Sequence, residues 1–269
     1  MLVLLFFFGR TTPGKSSTPE KPPMADAGGA TTPVSTGDVI KNAKKSLTQQ
    51  QVTHLLQLEN SVVRGDVKAQ QIKVFTQLAN FWGDTARQPA IGAFYFGEAA
   101  KLENSEKNLT FAAHLLLDDV MADTDVTMIT WEATQAKALF ERSLVLNPAN
   151  DSSKVGVGAC YLFGNIATNP MQGIMAIREV VARDSTNMYA QFMLGLGGVR
   201  SGQYDKAIER FLIVAHKQPH NLEATLNLAE TYERKGDKQN AIKWYKATAE
   251  MVALPQAKNE IENRIKVLQ

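Results

Sequence analysis

The chain has 269 residues, 44% hydrophobic and 21% charged, enough apolar material to bury a core in one or two domains or along an extended array. Lys+Arg 29 against Asp+Glu 27 leaves a net charge of +2, so no bulk electrostatic case exists for binding nucleic acid. One cysteine excludes an internal disulfide framework and a Cys-rich zinc site, and 4 histidines leave few ways to build a metal or His-based catalytic centre.

In chain order, residues 1–8 come first: Met1 and then an unbroken apolar block through Phe8. As a helix the block would span about 10 Å against a hydrocarbon core of roughly 30 Å, too little to cross a bilayer. It also lacks the basic start and small-residue cleavage site of a secretory signal. The block reads as the distal end of a membrane anchor whose start lies upstream; the alternative is a short sticky terminus without a role. Residues 9–37 hold 5 of the 10 prolines amid Ser, Thr, Gly and Ala, too little apolar surface to offset chain entropy. This is a disordered spacer with a root-mean-square reach on the order of 30 Å. Arg10, Lys15 and Lys21 beside the apolar block favour the cytoplasmic side.

Helical patterning begins at Asp38, a good N-cap, and continues to Arg64, where Gly65 stops it and Asp66 starts the next helix. Residues 38–66 therefore form an N-terminal capping helix. Helical periodicity recurs over residues 70–82, 89–102 and 109–121, the last followed by a long connection over 122–130. A helix starting at Asp151 carries Val157, Gly158 and Tyr161; after an insertion around Ala167 to Pro170, a second runs over Met171–Arg183.

Further on the chain repeats itself. Gly202 and Gly236, Ala207 and Ala241, Phe211 and Tyr245, and Leu194 and Leu228 are each separated by 34 residues. One helix ends where Gly202 supplies a left-handed residue, and the next, from about Lys206 to Lys217, turns Ala207, Phe211 and Val214 inward. Small residues at Gly195 and Ala207 let the two backbones approach, and Pro219 turns the chain into the next copy. From Pro255 a last helix sets Ile261, Ile265 and Leu268 on one face, as a capping helix at the end of an array requires.

These residues resemble the tetratricopeptide repeat. With Met188 as position 1, Leu194, Gly195, Gly202, Tyr204, Ala207, Phe211 and Pro219 fall on positions 7, 8, 15, 17, 20, 24 and 32 of its pattern. The copy from Leu222 matches with Leu228, Ala229, Tyr232, Gly236, Ala241 and Tyr245. Position 4 departs from the family's Trp, being Gln191 or Thr225, and position 11 of the first copy is Gly198. Ala136, Phe140 and Pro148 occupy positions 20, 24 and 32 of an earlier copy. The resemblance implies an all-α, right-handed superhelical solenoid of antiparallel helix pairs. Residues 67–149 would form degenerate pairs, 150–255 the better repeats and 256–269 the C-terminal cap.

No catalytic constellation stands out. Cys160 has no His near it in sequence and reads as a small buried hydrophobe. His216 and His220 share helical spacing, but Pro219 lies between them; Asp118, Asp119, Asp123 and Asp125 lack the Gly and terminal Glu of a calcium loop and read as a solvated acidic loop. Gly195, Gly197 and Gly198 follow no strand, so the repeat explains them better than a phosphate loop does. Trp82, Trp131 and Trp244 read as packing residues. No enzyme, cofactor, metal or small-molecule substrate is expected.

In the family, positions 2, 5, 9 and 12 of the first helices line a concave groove for peptides. The resemblance carries this onto Val155 and Leu162 in one unit, Tyr189, Phe192 and Leu196 in the next, and Leu226 and Glu230 in the last. Asn227 matches a position that hydrogen-bonds a bound peptide backbone. Ser152, Ala159, Val199, Glu223 and Glu233 complete the sets, giving an apolar groove with an acidic end. These positions alternatively face a neighbouring helix or the cap. Phe192 and Leu196 stand where a clamp for a chaperone's terminal carboxylate would need Lys and Asn. The resemblance thus implies a non-catalytic scaffold for a protein or peptide partner, tethered to a bacterial membrane, with a soluble cytoplasmic adaptor or co-chaperone-like protein as the alternative.

Overall fold

A computed structural model describes residues 34–64, 67–167 and 169–269. The apolar block at residues 1–8, most of the spacer over 9–37, and Gly65 and Asp66 lie outside the described residues. Within them the chain is all-α, with no strand, and no helix is long and apolar enough to cross a membrane. The described residues divide into two compact units, one ending at Val180 and one beginning at Val181.

In the N-terminal unit, α1 (Thr36–Lys44) and α2 (Gln49–Arg64) replace the single capping helix expected there. Ser35, not Asp38, caps α1: its Oγ accepts from the Asp38 amide at 3.1 Å and donates to Asp38 Oδ2 at 2.7 Å. The chain breaks because Thr48 starts a second helix. The Gln51 amide donates to Thr48 Oγ1 at 3.3 Å, and the Thr48 amide donates to Gln51 Oε1 at 2.9 Å. That reciprocal capping box satisfies donors a continuous helix would have paired internally.

Next come α3 (Lys68–Asn80), a π-helical turn over Phe81–Thr85, and α4 (Pro89–Glu103), which starts on a proline and stops at Asn104 in the left-handed region, φ 56°. α4 crosses the π turn so closely that a Cβ at Gly92 would lie 2.9 Å from both the Ala79 carbonyl oxygen and the Gly83 nitrogen. α5 (Glu106–Ala122) and α6 (Val126–Leu146) form a long hairpin. Its connection is only Asp123 to Asp125, not the long loop that the sequence suggested over 122–130. Asp125 Oδ1 accepts from the Thr127 amide at 2.8 Å and so starts α6 early.

α7 (Asp151–Phe163) packs on α6, and α8 (Met171–Arg183) approaches α7 at Gly158, where a Cβ would lie 2.6 Å from Ile177 Cγ1. A Cβ at Gly173 would come 2.3 Å from the Gly158 carbonyl oxygen, so only two glycines permit this approach. Between α5, α6 and α7 lies a buried hydroxyl cluster. Thr110 Oγ1 is 2.8 Å from Ser143 Oγ and 3.1 Å from Ser153 Oγ, and Asn150 Nδ2 donates to Thr110 at 3.0 Å.

The C-terminal unit holds α9 (Met188–Arg200), α10 (Tyr204–Lys217), α11 (Leu222–Lys235), α12 (Lys238–Met251) and α13 (Pro255–Leu268). Each packs on the next through connections too short for anything but antiparallel neighbours. Gly202 and Gly236 end α9 and α11 at φ 71° and 87°, where a side chain would be strained. Phe211, wholly buried, fills the space that Gly195 leaves, and with Ala207, Ile208, Ala215 and Leu228 forms one core cluster. Leu226, Tyr245, Ile261, Ile265 and Leu268 belong to a second, which α13 closes. Asn150, Asn187 and Asn221 cap α7, α9 and α11 in the same way, each side chain accepting from the amide three residues on.

Candidate peptide-binding surface

The eight residues expected to line a groove fall in both units. Val155 and Leu162 lie on α7 in the N-terminal unit; Val155 is wholly buried and Leu162 nearly so, so neither offers surface to a ligand in this conformation. The other six lie on α9 and α11, helices that touch directly within the C-terminal unit.

On α9, Tyr189, Phe192, Leu196 and Val199 are half-buried. Their spacing places them on one helical stripe, while Ala190, Met193 and Gly197 between them are buried. Phe192 packs its ring on Phe211 at 5.5 Å and 56° and leaves the rest open. Leu196 and Val199 rest on the same cluster. The stripe therefore keeps apolar area facing outward from a rigid base.

On α11, Leu226 is buried in the second core cluster and is a packing residue. Asn227 is also buried, and its Nδ2 donates to the Glu223 carbonyl at 2.9 Å, so part of its amide is committed to its own helix. Glu230 is half-buried; desolvation raises its pKa, opposed by Arg234 and Arg264. Glu223 is exposed.

The acidic end differs from the sequence expectation at Glu233. Arg264 on α13 grips it with two hydrogen bonds, from Nε at 2.9 Å and from Nη2, and Tyr245 Oη donates to it at 2.8 Å. Burial, first, and Glu230 push the Tyr245 phenol above its ordinary range. Glu233 therefore holds the capping helix, leaving Glu223 and Glu230 to present negative charge. Sequence reading missed Arg264 because it lies on the polar face of α13, 31 positions from its partner.

The departures at position 4 are satisfied locally. Gln191, buried where the family has Trp, donates to the Ser185 carbonyl at 2.9 Å and accepts from Arg210 at 2.8 Å. Thr225 donates to the Leu222 carbonyl at 3.0 Å.

The remaining candidates disperse. Cys160 is buried and its thiol is pushed up to about 12 by burial, which leaves no thiolate nucleophile at neutral pH. His216 and His220 line one cavity of about 640 Å³ with Trp244, Glu250 and Met251. Among the described residues no three His, Cys, Asp or Glu side chains gather to hold a metal ion. Trp82 and Trp131 are buried; Trp244 is half-buried at the cavity wall.

The chain aligns with the crystal structure of YrrB, described as a TPR protein with an unusual peptide-binding site, at 14% identity over 77% of this chain and 97% of that one, TM-score 0.43. It aligns with the crystal structure of MamA at 20% identity over 68% and 95%, TM-score 0.42. The MamA fragment from Desulfovibrio magneticus RS-1 aligns at 19% over 70% and 96%, TM-score 0.44. No curated protein matches the chain. A tetratricopeptide repeat family model matches residues 192–257, the segment in which the repeated glycines, the inward aromatics and the helix pairs coincide. Residues 192–257 are tetratricopeptide repeat.

Proposed function

We propose that this chain is a non-catalytic scaffold that receives a peptide on the face formed by α9 and α11. Tetratricopeptide repeats suggest protein interaction as the general role; the finer assignment rests on the residues of this face. The observation that carries it is the half-buried apolar stripe of Tyr189, Phe192, Leu196 and Val199 on α9, with Glu223 and Glu230 on the adjoining α11. A partner segment with aliphatic or aromatic side chains and a basic flank complements that surface in both shape and charge. Residues 1–8 would hold the body at a bacterial membrane through the spacer over 9–37, which would leave the peptide-binding face free to sample partners.

Affinity capture from native membranes, read by mass spectrometry, compares the unaltered chain with Leu196→Glu and with Glu230→Lys. Both variants are expected to keep the helical circular dichroism of the parent and to lose the same partners. A folded Leu196→Glu chain that captures every partner refutes the peptide face. Recovery of the chain in the soluble fraction after cell fractionation refutes the tether and leaves the peptide face standing.

A further inference from the structure

The tip of the α5–α6 hairpin concentrates negative charge around an oxygen with nothing to hold it. Glu132, on α6, is 2% exposed, and its Oε2 is buried with no hydrogen-bonding partner among the described residues. Asp119 acts on it from the last turn of α5, and Asp123 and Asp125 act on it from the connection. These three aspartates are the charged groups that act on it. Asp123 Oδ1 accepts from the Thr124 and Asp125 amides, and Asp125 Oδ1 from the Thr127 amide, so both side chains shape the turn. Asp119, with Asp118 beside it, sits at the negative end of the α5 dipole, another cost to ionisation.

Beside Glu132 in sequence stands Trp131, 3% exposed, whose Nε1 donates to Thr36 Oγ1 at 3.0 Å. Thr36 is the first residue of α1. The same turn of α6 thus carries the unsatisfied acid and the hydrogen bond that fastens α1 to the body.

We propose that the hairpin tip is a proton-gated catch on α1: a protonated Glu132 lets α5 and α6 close and Trp131 hold Thr36, and its ionisation against Asp119, Asp123 and Asp125 loosens both. The direction follows from linkage. Burial first, then the three aspartates, lift the Glu132 carboxyl to about 8 in the closed hairpin, whereas an opened tip returns it to the ordinary carboxylate range. The closed form binds the extra proton between those values, so closure is strongest at low pH and weakens as pH rises through that window to about 8.

Amide hydrogen exchange on the full chain at about pH 6 and about pH 8, corrected for intrinsic exchange, tests this over α1 and the hairpin tip. Protection of α1 is expected to fall more than tenfold across this interval, and to be unchanged by pH in Glu132→Gln. Equal protection at both pH values in the unaltered chain, or the same fall in Glu132→Gln, overturns the proposal. Should Glu132→Gln not fold, Asp119→Asn serves in its place. Loss of that charge is expected to shrink the fall, and an undiminished fall overturns the proposal equally.

Discussion

Gly195→Ala tests whether the helix pairs are set by mutual fit or merely by helical patterning. A Cβ at Gly195 would lie 2.5 Å from Cε1, 2.8 Å from Cδ1 and 2.9 Å from Cζ of Phe211, well inside the roughly 3.5–4.0 Å of a relaxed carbon contact. The ring has no retreat, because it is wholly buried and Phe192 packs on it at 5.5 Å. Overpacking of this kind costs about 1–3 kcal/mol, offset by roughly 1 kcal/mol for replacing a helical glycine with alanine. Gly195→Ala is therefore expected to cost up to about 2 kcal/mol, in spite of its better helix propensity. Phe211→Ala leaves a cavity and is expected to cost about 3–5 kcal/mol. In the double variant the new methyl enters the vacated space, so the combined loss should fall short of the sum by about 1–2 kcal/mol. Urea unfolding followed by far-UV circular dichroism, with midpoints compared at constant slope, measures all three. A stabilising Gly195→Ala, or additivity in the double variant, refutes the argument.

Two other perturbations address separate features. Asn221→Ala removes the acceptor for the Ala224 amide at 2.9 Å and should lower stability by about 1 kcal/mol, seen as a drop in thermal midpoint; an unchanged midpoint contradicts the cap's role. The Cys160 thiol, raised to about 12 by burial, should react with a thiol reagent at neutral to mildly alkaline pH only after denaturation. Rapid stoichiometric labelling of the native chain would show that the helix pair around it opens.

The repeat was legible because its signals are local and recur. Gly202 and Gly236 mark helix ends through a backbone angle that side chains avoid, and Ala207, Phe211, Ala241 and Tyr245 mark inner faces at one period. The capping box at Thr48 and Gln51 was equally local, yet it was missed beneath a continuous helical pattern. The short connection at Asp123 was misread as a loop because acidic residues there serve as caps. The proposed binding surface was only partly readable. Phe192 and Leu196 lie half-buried on one stripe of α9, whereas the same positions on α7 and α11 put Val155 and Leu226 inside.

The sequence by itself determined the helices and the pairing of consecutive helices, since period, caps and left-handed glycines act within a few residues. Only the tertiary structure decided which groups remain free. It bound Glu233 to Arg264, removing one of three acidic residues from the apparent acidic end, and it buried Glu132 beside three aspartates with an oxygen unsatisfied. Burial and charge pairing depend on residues distant along the chain brought close in space, and no local pattern encodes that distance.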